Sequence, residues 1–322
     1  PLTKSLLVDS MSNVSDKTLQ SLVNTLEIEG MELTLKSFNI PKDTMARYLR
    51  KAKARDIQPT TTWGSAPRVF VFDIETLPLE VFSWGLNKQF IGHDNIIKEW
   101  CVLSWAGKWL MGDEIFGDVL TPEECINRDD KRIVESVWNI IDQADILIGH
   151  NGRRFDIRKL NARFIWHDLQ PPSPFEMIDT YKDAVAQFAF TSFKQDYLTK
   201  FFDLQHKLET NFQLWVDCAN GVQSEIDKMY EYNRHDVMGL EELYLKLRPW
   251  MTRHPSMNLY YSDMQEERCP RCGSIDTEKM GKLYHTTAGA YQTFRCVECK
   301  GLSRLGKNQI KHSSKKKRIT SR

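Results

Sequence analysis

Residues 68–78, RVFVFDIETLP, constrain the fold more than any other stretch, because four consecutive apolar residues run directly into two acids. Val69 to Phe72 combine β-branched and aromatic side chains in a short run, which predicts a buried strand. Side chains at positions i and i+2 of a strand point to the same face, so Asp73 and Glu75 lie side by side at the strand's end. Two carboxylates that close repel each other. Either a cation belongs between them or water surrounds the strand end.

The composition places several domain boundaries along the 322 residues, which are enough for two or three domains. Residues 59–66 are rich in Pro, Thr, Gly and Ser, as linkers are. A helical module at residues 1–58 precedes this linker, and an α/β domain at residues 67–255 follows it. A segment with four cysteines at residues 265–305 and a basic tail at residues 306–322, predicted to be disordered, complete the chain.

Basic residues gather near both ends, although the formal net charge is only +1. Residues 300–322 carry nine Lys or Arg and no acid, and residues 41–55 carry six basic residues against Asp43. Segments of this kind suit contacts with nucleic-acid phosphates. A solvated helix face and a disordered tail explain the same charges equally well.

The helical module resembles a helix-turn-helix in its order of elements. Residues 16–26 have helical apolar spacing, and a second helix follows Pro41, a residue tolerated at a helix N-terminus. Arg47, Arg50 and Lys51 fill much of the second helix's polar face, which suits a nucleic-acid groove. A small helical cap on the next domain is the alternative.

The α/β domain alternates strand and helix patterns. Amphipathic helices with 3.6-residue apolar spacing separate the strand candidates. The strand candidates are residues 68–75, 79–86, 100–110, 145–150 and 175–179. The fold class predicted is therefore a mixed α/β sheet of about five strands flanked by helices.

No apolar stretch approaches the ~18 residues that a membrane span requires, and no secretory signal pattern is present. Seven cysteines, four of them in a metal-like pattern, favour a reducing compartment over a disulfide framework. These features predict a cytoplasmic protein with no membrane partner.

Acids recur at two further positions. Asp156 opens a helix after the turn at Asn151, and Asp236 lies inside a long helix, one turn after Tyr232. Aspartate is a mediocre helix former. Asp236 therefore needs either solvent or a function.

Three segments together, FDIET, GHNGRRFD and YNRHD, resemble the exonuclease motifs of the DEDD superfamily. Over residues 67–250 the chain is most similar to the proofreading exonuclease domains of family B DNA polymerases and to stand-alone exonucleases of bacterial viruses. The Tyr-x-x-x-Asp spacing from Tyr232 to Asp236 matches the DEDDy branch, whereas Glu231 stands where the DEDDh branch has histidine. The resemblance implies an RNase H-like sheet and, if the source is a phage, a bacterial host cell as the location.

The resemblance also implies the chemistry. Asp73, Glu75, Asp156 and Asp236 would ligate two Mg²⁺ or Mn²⁺ ions, which favour carboxylate oxygens. Tyr232 would orient the attacking water, since a phenol with a pKa near about 10 is a poor base at neutral pH. Cations between the acids would remove the repulsion that residues 68–78 otherwise create.

Three residues of the second motif are candidates for nucleic-acid contacts. Asn151 is predicted to touch the terminal nucleotide, although a turn residue before Gly152 is an alternative. Arg153 and Arg154 either reach phosphates or are simply exposed.

Four cysteines near the C-terminus predict a metal site. Cys269, Cys272, Cys296 and Cys299 form two CxxC pairs separated by 23 residues. Four thiolates in a tetrahedral arrangement are typical of one structural Zn²⁺. The segment resembles a zinc ribbon, whose fold depends on its metal.

We expect a metal-dependent 3′–5′ exonuclease that acts on DNA. The alternatives are an exoribonuclease, a structure-selective endonuclease, and a DNA-binding adaptor without activity. The four acids and Tyr232 argue against the adaptor.

Overall fold

The structure is a computed structural model that describes residues 40–55, 57, 66–86, 90–205, 210–261, 267–287 and 289–310. Six single positions nearer the N-terminus are also described: Leu19, Leu22, Val23, Leu26, Met31 and Leu35. The chain divides into two compact units, residues 1–65 and residues 66–322. No helix in the described part of the chain has the length and apolar character needed to cross a bilayer.

The first unit contains helix α1 (Lys42–Ala54), which begins directly after Pro41 as predicted. Leu19 and Val23 pack against Ala52 of α1 in a small apolar cluster. Most of the preceding helix of the predicted helix-turn-helix lies outside the described residues. The DNA-binding role of Arg47, Arg50 and Lys51 therefore stays a prediction.

The second unit is built on strands β1 to β7 and helices α2 to α8. The strands are β1 (Val69–Leu77), β2 (Glu80–Val81), β3 (Ile96–Lys98), β4 (Cys101–Trp109), β5 (Ile115–Val119), β6 (Ile146–Gly149) and β7 (Glu176–Asp179). The helices are α2 (Pro122–Asn127), α3 (Lys131–Ile141), α4 (Asp156–Trp166), α5 (Thr180–Gln187), α6 (Gln195–Phe201), α7 (Phe212–Ala219) and α8 (Gln223–Leu247).

Five of these strands form one mixed sheet in the order β5-β4-β1-β6-β7. β4 pairs antiparallel with both β1 and β5, whereas β6 lies parallel to β1 and β7. The central position of β1 explains why its apolar run is unbroken, since a strand covered on both faces needs apolar residues on both. The predicted mixed α/β sheet of about five strands flanked by helices is confirmed.

Two apolar clusters cover the two faces of the sheet. Phe70 and Phe72 belong to the cluster that includes residues of α3 and α4. Val69 and Val71 belong to the opposite cluster, which includes residues of α6 and α8. Because side chains alternate along a strand, the row of Val69 and Val71 continues into Asp73 and Glu75. The two acids are therefore directed toward the side of the sheet that the C-terminal half of α8 covers.

The segment at residues 79–86 differs from its prediction. Only Glu80–Val81 is strand, paired with β3, and the Trp84 side chain is 100% exposed. An apolar run forms a long strand only where a neighbouring strand is available to pair with it. Here β2 pairs only with β3, which has three residues. The apolar Trp84 ring therefore lies outside the core, whereas Trp105 on β4 is buried.

A small antiparallel sheet follows at the C-terminal end. It consists of β8 (Thr277–Thr286), β9 (Gly289–Cys296) and β10 (Leu302–Asn308), in the order β10-β9-β8. β10 continues three residues beyond the predicted end of this module at residue 305. Residues 311–322, most of the predicted tail, lie outside the described residues. Arg271 Nε donates to the Met251 carbonyl at 2.9 Å, which ties the module to the segment after α8.

Candidate metal-dependent active site

Three predicted acids converge at the C-terminal half of β1, which continues past Asp73 and Glu75 to Leu77 rather than ending at the acids as predicted. Asp73 and Glu75 on β1 and Asp236 on α8 each offer a carboxylate oxygen, and these oxygens lie within 4.8 Å of one another. Oxygen ligands about 2.1 Å from an octahedral cation are about 3 to 4 Å apart. The three carboxylates therefore fit a hard divalent cation with little rearrangement.

A cavity of about 770 Å³ opens over these acids. Its size suits a nucleotide-sized group. The described residues that line it are Asp73, Glu75, His150, Asn151, Tyr181, Lys194, Gln195, Asp196, Lys200, Thr210 and Asp236.

Asp156 lies beside the three acids but not within their 4.8 Å group. The backbone N–H of Ile74 donates to Asp156 Oδ1 at 3.2 Å. Burial raises the pKa of the Asp156 carboxyl well above its usual range, and repulsion from Asp73 raises it further. A cation bound nearby would stabilise the ionised form, so the position suits a further metal ligand.

A buried amide positions Asp73. Asn233 Nδ2 donates to Asp73 Oδ2 at 2.8 Å, and Ser104 Oγ donates to Asn233 Oδ1 at 3.1 Å. Asn233 is completely buried. Sequence reasoning missed it, although its position three residues before Asp236 places it on the same helix face.

The turn after β6 places Asn151 at the cavity. Asn151 has a φ of 62°, a left-handed conformation that asparagine adopts more readily than most residues. Its backbone N–H donates to Asp179 Oδ1 at 2.9 Å. The same Oδ1 accepts the N–H of Lys182 and caps α5. Asn151 is therefore both a turn residue and a cavity residue, and Asp179 fixes the turn.

The lining residues of the cavity other than the acids and Asn151 were not predicted as site residues. His150 and Tyr181 lie edge to face with ring centroids 5.6 Å apart. His150 Nε2 donates to the Phe193 carbonyl at 2.8 Å in the tautomer that this contact selects. Lys194 and Lys200 add two cations to a cavity that is otherwise acidic. Of these residues only His150 lies within a motif recognised in the sequence. The others belong to α5, α6 and the loop between them, which carry no recognised motif.

Tyr232 occupies an unexpected position. Its side chain is almost completely buried in the first core cluster, and its ring packs edge to face on Trp215 with centroids 6.2 Å apart. It is not among the described residues that line the cavity. The water-orienting role of Tyr232 stays a prediction that requires its hydroxyl to reach the acids from the core.

The two arginines of the second motif are exposed, and neither is among the described lining residues of the cavity. Arg153 and Arg154 stand in the turn directly before α4. Their predicted contact with phosphates therefore applies to the surface beside the cavity.

The four predicted cysteines converge at the base of the C-terminal sheet. The Sγ atoms of Cys269, Cys272, Cys296 and Cys299 lie within 4.8 Å of one another. The Cys269–Cys299 sulfurs are 3.6 Å apart and the Cys272–Cys296 sulfurs 3.5 Å apart. Sulfur ligands about 2.3 Å from a tetrahedral Zn²⁺ are about 3.8 Å apart, so the cluster fits zinc.

Replacement of Asn233 should weaken metal binding without removing a ligand. We expect Asn233→Ala to raise the Mn²⁺ concentration needed for half-maximal activity about 10- to 100-fold, because Asp73 loses the donor that orients it. Activity measured across a Mn²⁺ titration checks this. Asn161→Ala, on the exposed side of α4, is the control and should match wild type. An unchanged Mn²⁺ dependence in Asn233→Ala would show that the 2.8 Å contact has no functional role.

Comparison with known families supports the fold. A family model of the RNase H superfamily matches residues 120–248. The matched part contains Asp156 and Asp236 but begins after Asp73 and Glu75. It supports an RNase H-like fold and indicates a nuclease-type hydrolytic activity on nucleic acid. A search of curated proteins found no match.

Proposed function

We propose that this protein is a metal-dependent 3′–5′ exonuclease that hydrolyses phosphodiester bonds of DNA. The observation that carries the proposal is the approach of Asp73, Glu75 and Asp236 within 4.8 Å, with Asp73 and Glu75 on the central strand β1 of the sheet. The order and spacing of the three motifs support the exonuclease assignment and the DEDDy type.

In this proposal the acids hold two divalent cations. Bound Mg²⁺ or Mn²⁺ would supply an activated water and a stabilised leaving oxygen. Asp73 reaches the site from β1 with its orientation fixed by Asn233. Asp156 adds negative charge from the buried side, where Ile74 N–H restrains it. The protein thereby places four carboxylates around one scissile phosphate.

The other lining residues of the cavity would bind the substrate. Lys200 pairs with Asp196 at 3.0 Å, and both residues line the cavity with Lys194. Lys194 would therefore supply the counter-charge for a phosphate of the substrate. Tyr181 is 37% exposed and rests against His150 and Phe193. A supported, partly exposed ring of this kind suits stacking with the terminal base.

The cysteine cluster would hold one structural Zn²⁺ in a zinc ribbon. Arg304 lies 4.2 Å from the Tyr291 ring centroid and 5.4 Å from that of Tyr284, which pairs with Tyr291 across β8 and β9. Aromatic rings beside a cation suit single strands. The ribbon would therefore supply additional DNA contacts.

An end-labelled oligonucleotide tests the proposal. With Mn²⁺ and a 5′-labelled DNA strand, the expected result is a ladder that shortens from the 3′ end. A 3′-phosphorothioate linkage should protect the strand. Internal cleavage of the protected strand would show that the activity is endonucleolytic and not exonucleolytic. Faster degradation of an RNA strand of the same sequence would show that RNA is the preferred substrate.

A further inference from the structure

A second cavity, of about 450 Å³, lies where the start of β1 and the end of β4 meet the cysteine module. Val69 lines it from β1, Trp109 from β4 and Cys272 from the module. Asp73 is four residues further along β1 than Val69, about 13 Å at about 3.3 Å per residue. The volume is within the range of small-ligand pockets, about 300–1,000 Å³. We call this space the Arg68 cavity, after a second lining residue at the start of β1.

Two arginines, Arg68 and Arg248, line the Arg68 cavity, and no acid is among its described lining residues. Burial lowers the pKa of the Arg68 guanidinium, and the smaller effect of Asp145 in the opposite direction does not compensate for it. Arg248 interacts with the Tyr244 hydroxyl, but its Nε is buried and has no hydrogen-bond partner in the described part of the chain. Both guanidinium groups therefore lack full counter-charge, which an anion would supply.

Two acids adjoin the lining residues, and both have other partners. Asp145 Oδ2 accepts the backbone N–H of Arg68 at 2.7 Å. Glu241 pairs with Lys108 at 2.5 Å and accepts the N–H of Met111 at 2.7 Å. Neither carboxylate is among the groups that line the cavity. The positive charge at the cavity surface is therefore available to a ligand.

The cysteine cluster has cations of its own. Four thiolates around one Zn²⁺ leave an excess of two negative charges. Arg268 and Arg271 flank Cys269 in the sequence and donate to backbone carbonyls of the same module, at 3.2 and 2.6 Å. Their two charges match the excess, so Arg68 and Arg248 are not needed to neutralise the cluster.

The uncharged walls of the Arg68 cavity include two aromatic rings. The Arg68 Cζ lies 4.4 Å from the Trp109 ring centroid. Tyr261 packs on the turn at Gly273, where a Cβ would overlap its ring. Met257, which is 4% exposed, adds an apolar surface. An anion that also carries a planar ring matches both the arginines and these walls.

We propose that the Arg68 cavity binds a nucleotide, with its phosphate at Arg68 and Arg248 and its base against Trp109 and Tyr261. The choice of a nucleotide among ring-bearing anions rests on the proposed function, because hydrolysis from a 3′ end releases nucleoside 5′-monophosphates. A free nucleoside monophosphate and one nucleotide of a bound strand offer the same chemistry to this site. The site is separate from the acids, which line the other cavity.

Calorimetric titration of zinc-loaded protein with dAMP, without Mg²⁺ or Mn²⁺, tests the site. In the absence of these cations the acids repel phosphate, so binding reports on the Arg68 cavity. Wild type should bind one dAMP per chain. Arg68→Gln and Arg248→Gln should each raise the Kd about 10-fold or more, because a charged hydrogen bond to phosphate is lost. Trp109→Leu should weaken dAMP but not ribose 5-phosphate, which has no base.

Arg158→Gln is the matched control, because it removes the same charge from an exposed position on α4 and should leave the Kd unchanged. The melting temperature of each variant without ligand shows that it is folded. If Arg248→Gln melts below the assay temperature, Arg68→Gln alone decides, because the Arg68 side chain is only partly buried. Variants of Arg68 that bind dAMP like wild type, or inorganic phosphate that binds as tightly as dAMP, would overturn the nucleotide site.

A 12-nucleotide strand, titrated under the same conditions, separates the two sources of the nucleotide. Weaker strand binding in Arg68→Gln, with displacement of the strand by dAMP, would identify a nucleotide of a bound strand. Unchanged strand binding beside weakened dAMP binding would identify a free nucleotide. If wild type cleaves DNA but does not bind dAMP, the nucleotide site is wrong and the exonuclease proposal stands. If dAMP binding depends on Arg68 in a protein that cleaves no strand, the site stands and the exonuclease proposal fails.

Discussion

Asp73→Asn should lower the exonuclease rate at least about 10³-fold while the melting temperature stays at or above that of wild type. The loss follows because Asp73 lies in the group of three carboxylates within 4.8 Å and also close to Asp156. Metal-bound transition states depend on several kcal/mol of charge stabilisation, about 1.4 kcal/mol for each tenfold in rate. Removing one negative charge from clustered acids relieves repulsion, so the substitution does not lower the stability of the folded state.

Two measurements on the same preparation check this prediction. The hydrolysis rate is measured with metal, and the melting temperature is measured without added metal. Asp94→Asn, at an acid that is 89% exposed, should leave both quantities unchanged. More than a tenth of the wild-type rate in Asp73→Asn would remove Asp73 from the catalytic set. A large fall in melting temperature would show that the carboxylate is structural.

Cys296→Ser should abolish zinc binding and unfold the C-terminal sheet. In the part of the chain that the structure describes, the core cluster of this module is made of the four cysteines, and the strands β8 to β10 add only Ala290 and Phe294 as further buried apolar residues. Without the metal, little apolar burial remains to offset the chain entropy of β8 to β10. Structural Zn²⁺ contributes about 10–16 kcal/mol in small zinc modules. The wild-type protein should contain one zinc per chain, and the variant should contain none.

Elemental analysis and limited proteolysis measure the two effects. Cleavage in Cys296→Ser should concentrate after Met251, because the Arg271–Met251 hydrogen bond is lost with the fold of the module. Cys218→Ser, a fully buried thiol outside the cluster, should keep one zinc. Zinc retained by Cys296→Ser, or a protease-resistant module without zinc, would contradict the assignment.

Local patterns in the sequence were sufficient to place Asp73 and Glu75 side by side. The alternation of side chains along β1 places Asp73 and Glu75 on one face, whereas Asp236 was joined to them only by the resemblance of its motif. The CxxC pairs likewise determined their cluster, because a short chain between ligand pairs leaves few arrangements. These predictions succeeded because each depends on the geometry of one element or one short loop.

Features that depend on packing between distant elements escaped prediction. Asn233 acquires its role only because β1 and β4 bring Asp73 and Ser104 to α8, 160 and 129 residues away along the chain. Lys194 and Lys200 reach the cavity through the position of α6. Trp84 has an apolar character that suggests burial, yet no described element covers it. Tyr232 packs on Trp215, a contact that motif spacing does not encode.

Diffraction data collected at the manganese absorption edge, from crystals grown with Mn²⁺ and a short DNA strand, measure the central claim most directly. The expected result is two anomalous peaks about 3.5–4 Å apart, ligated by Asp73, Glu75, Asp236 and Asp156. Carboxylates that diverge from one another, with no anomalous peak among them, would contradict a metal-dependent nuclease.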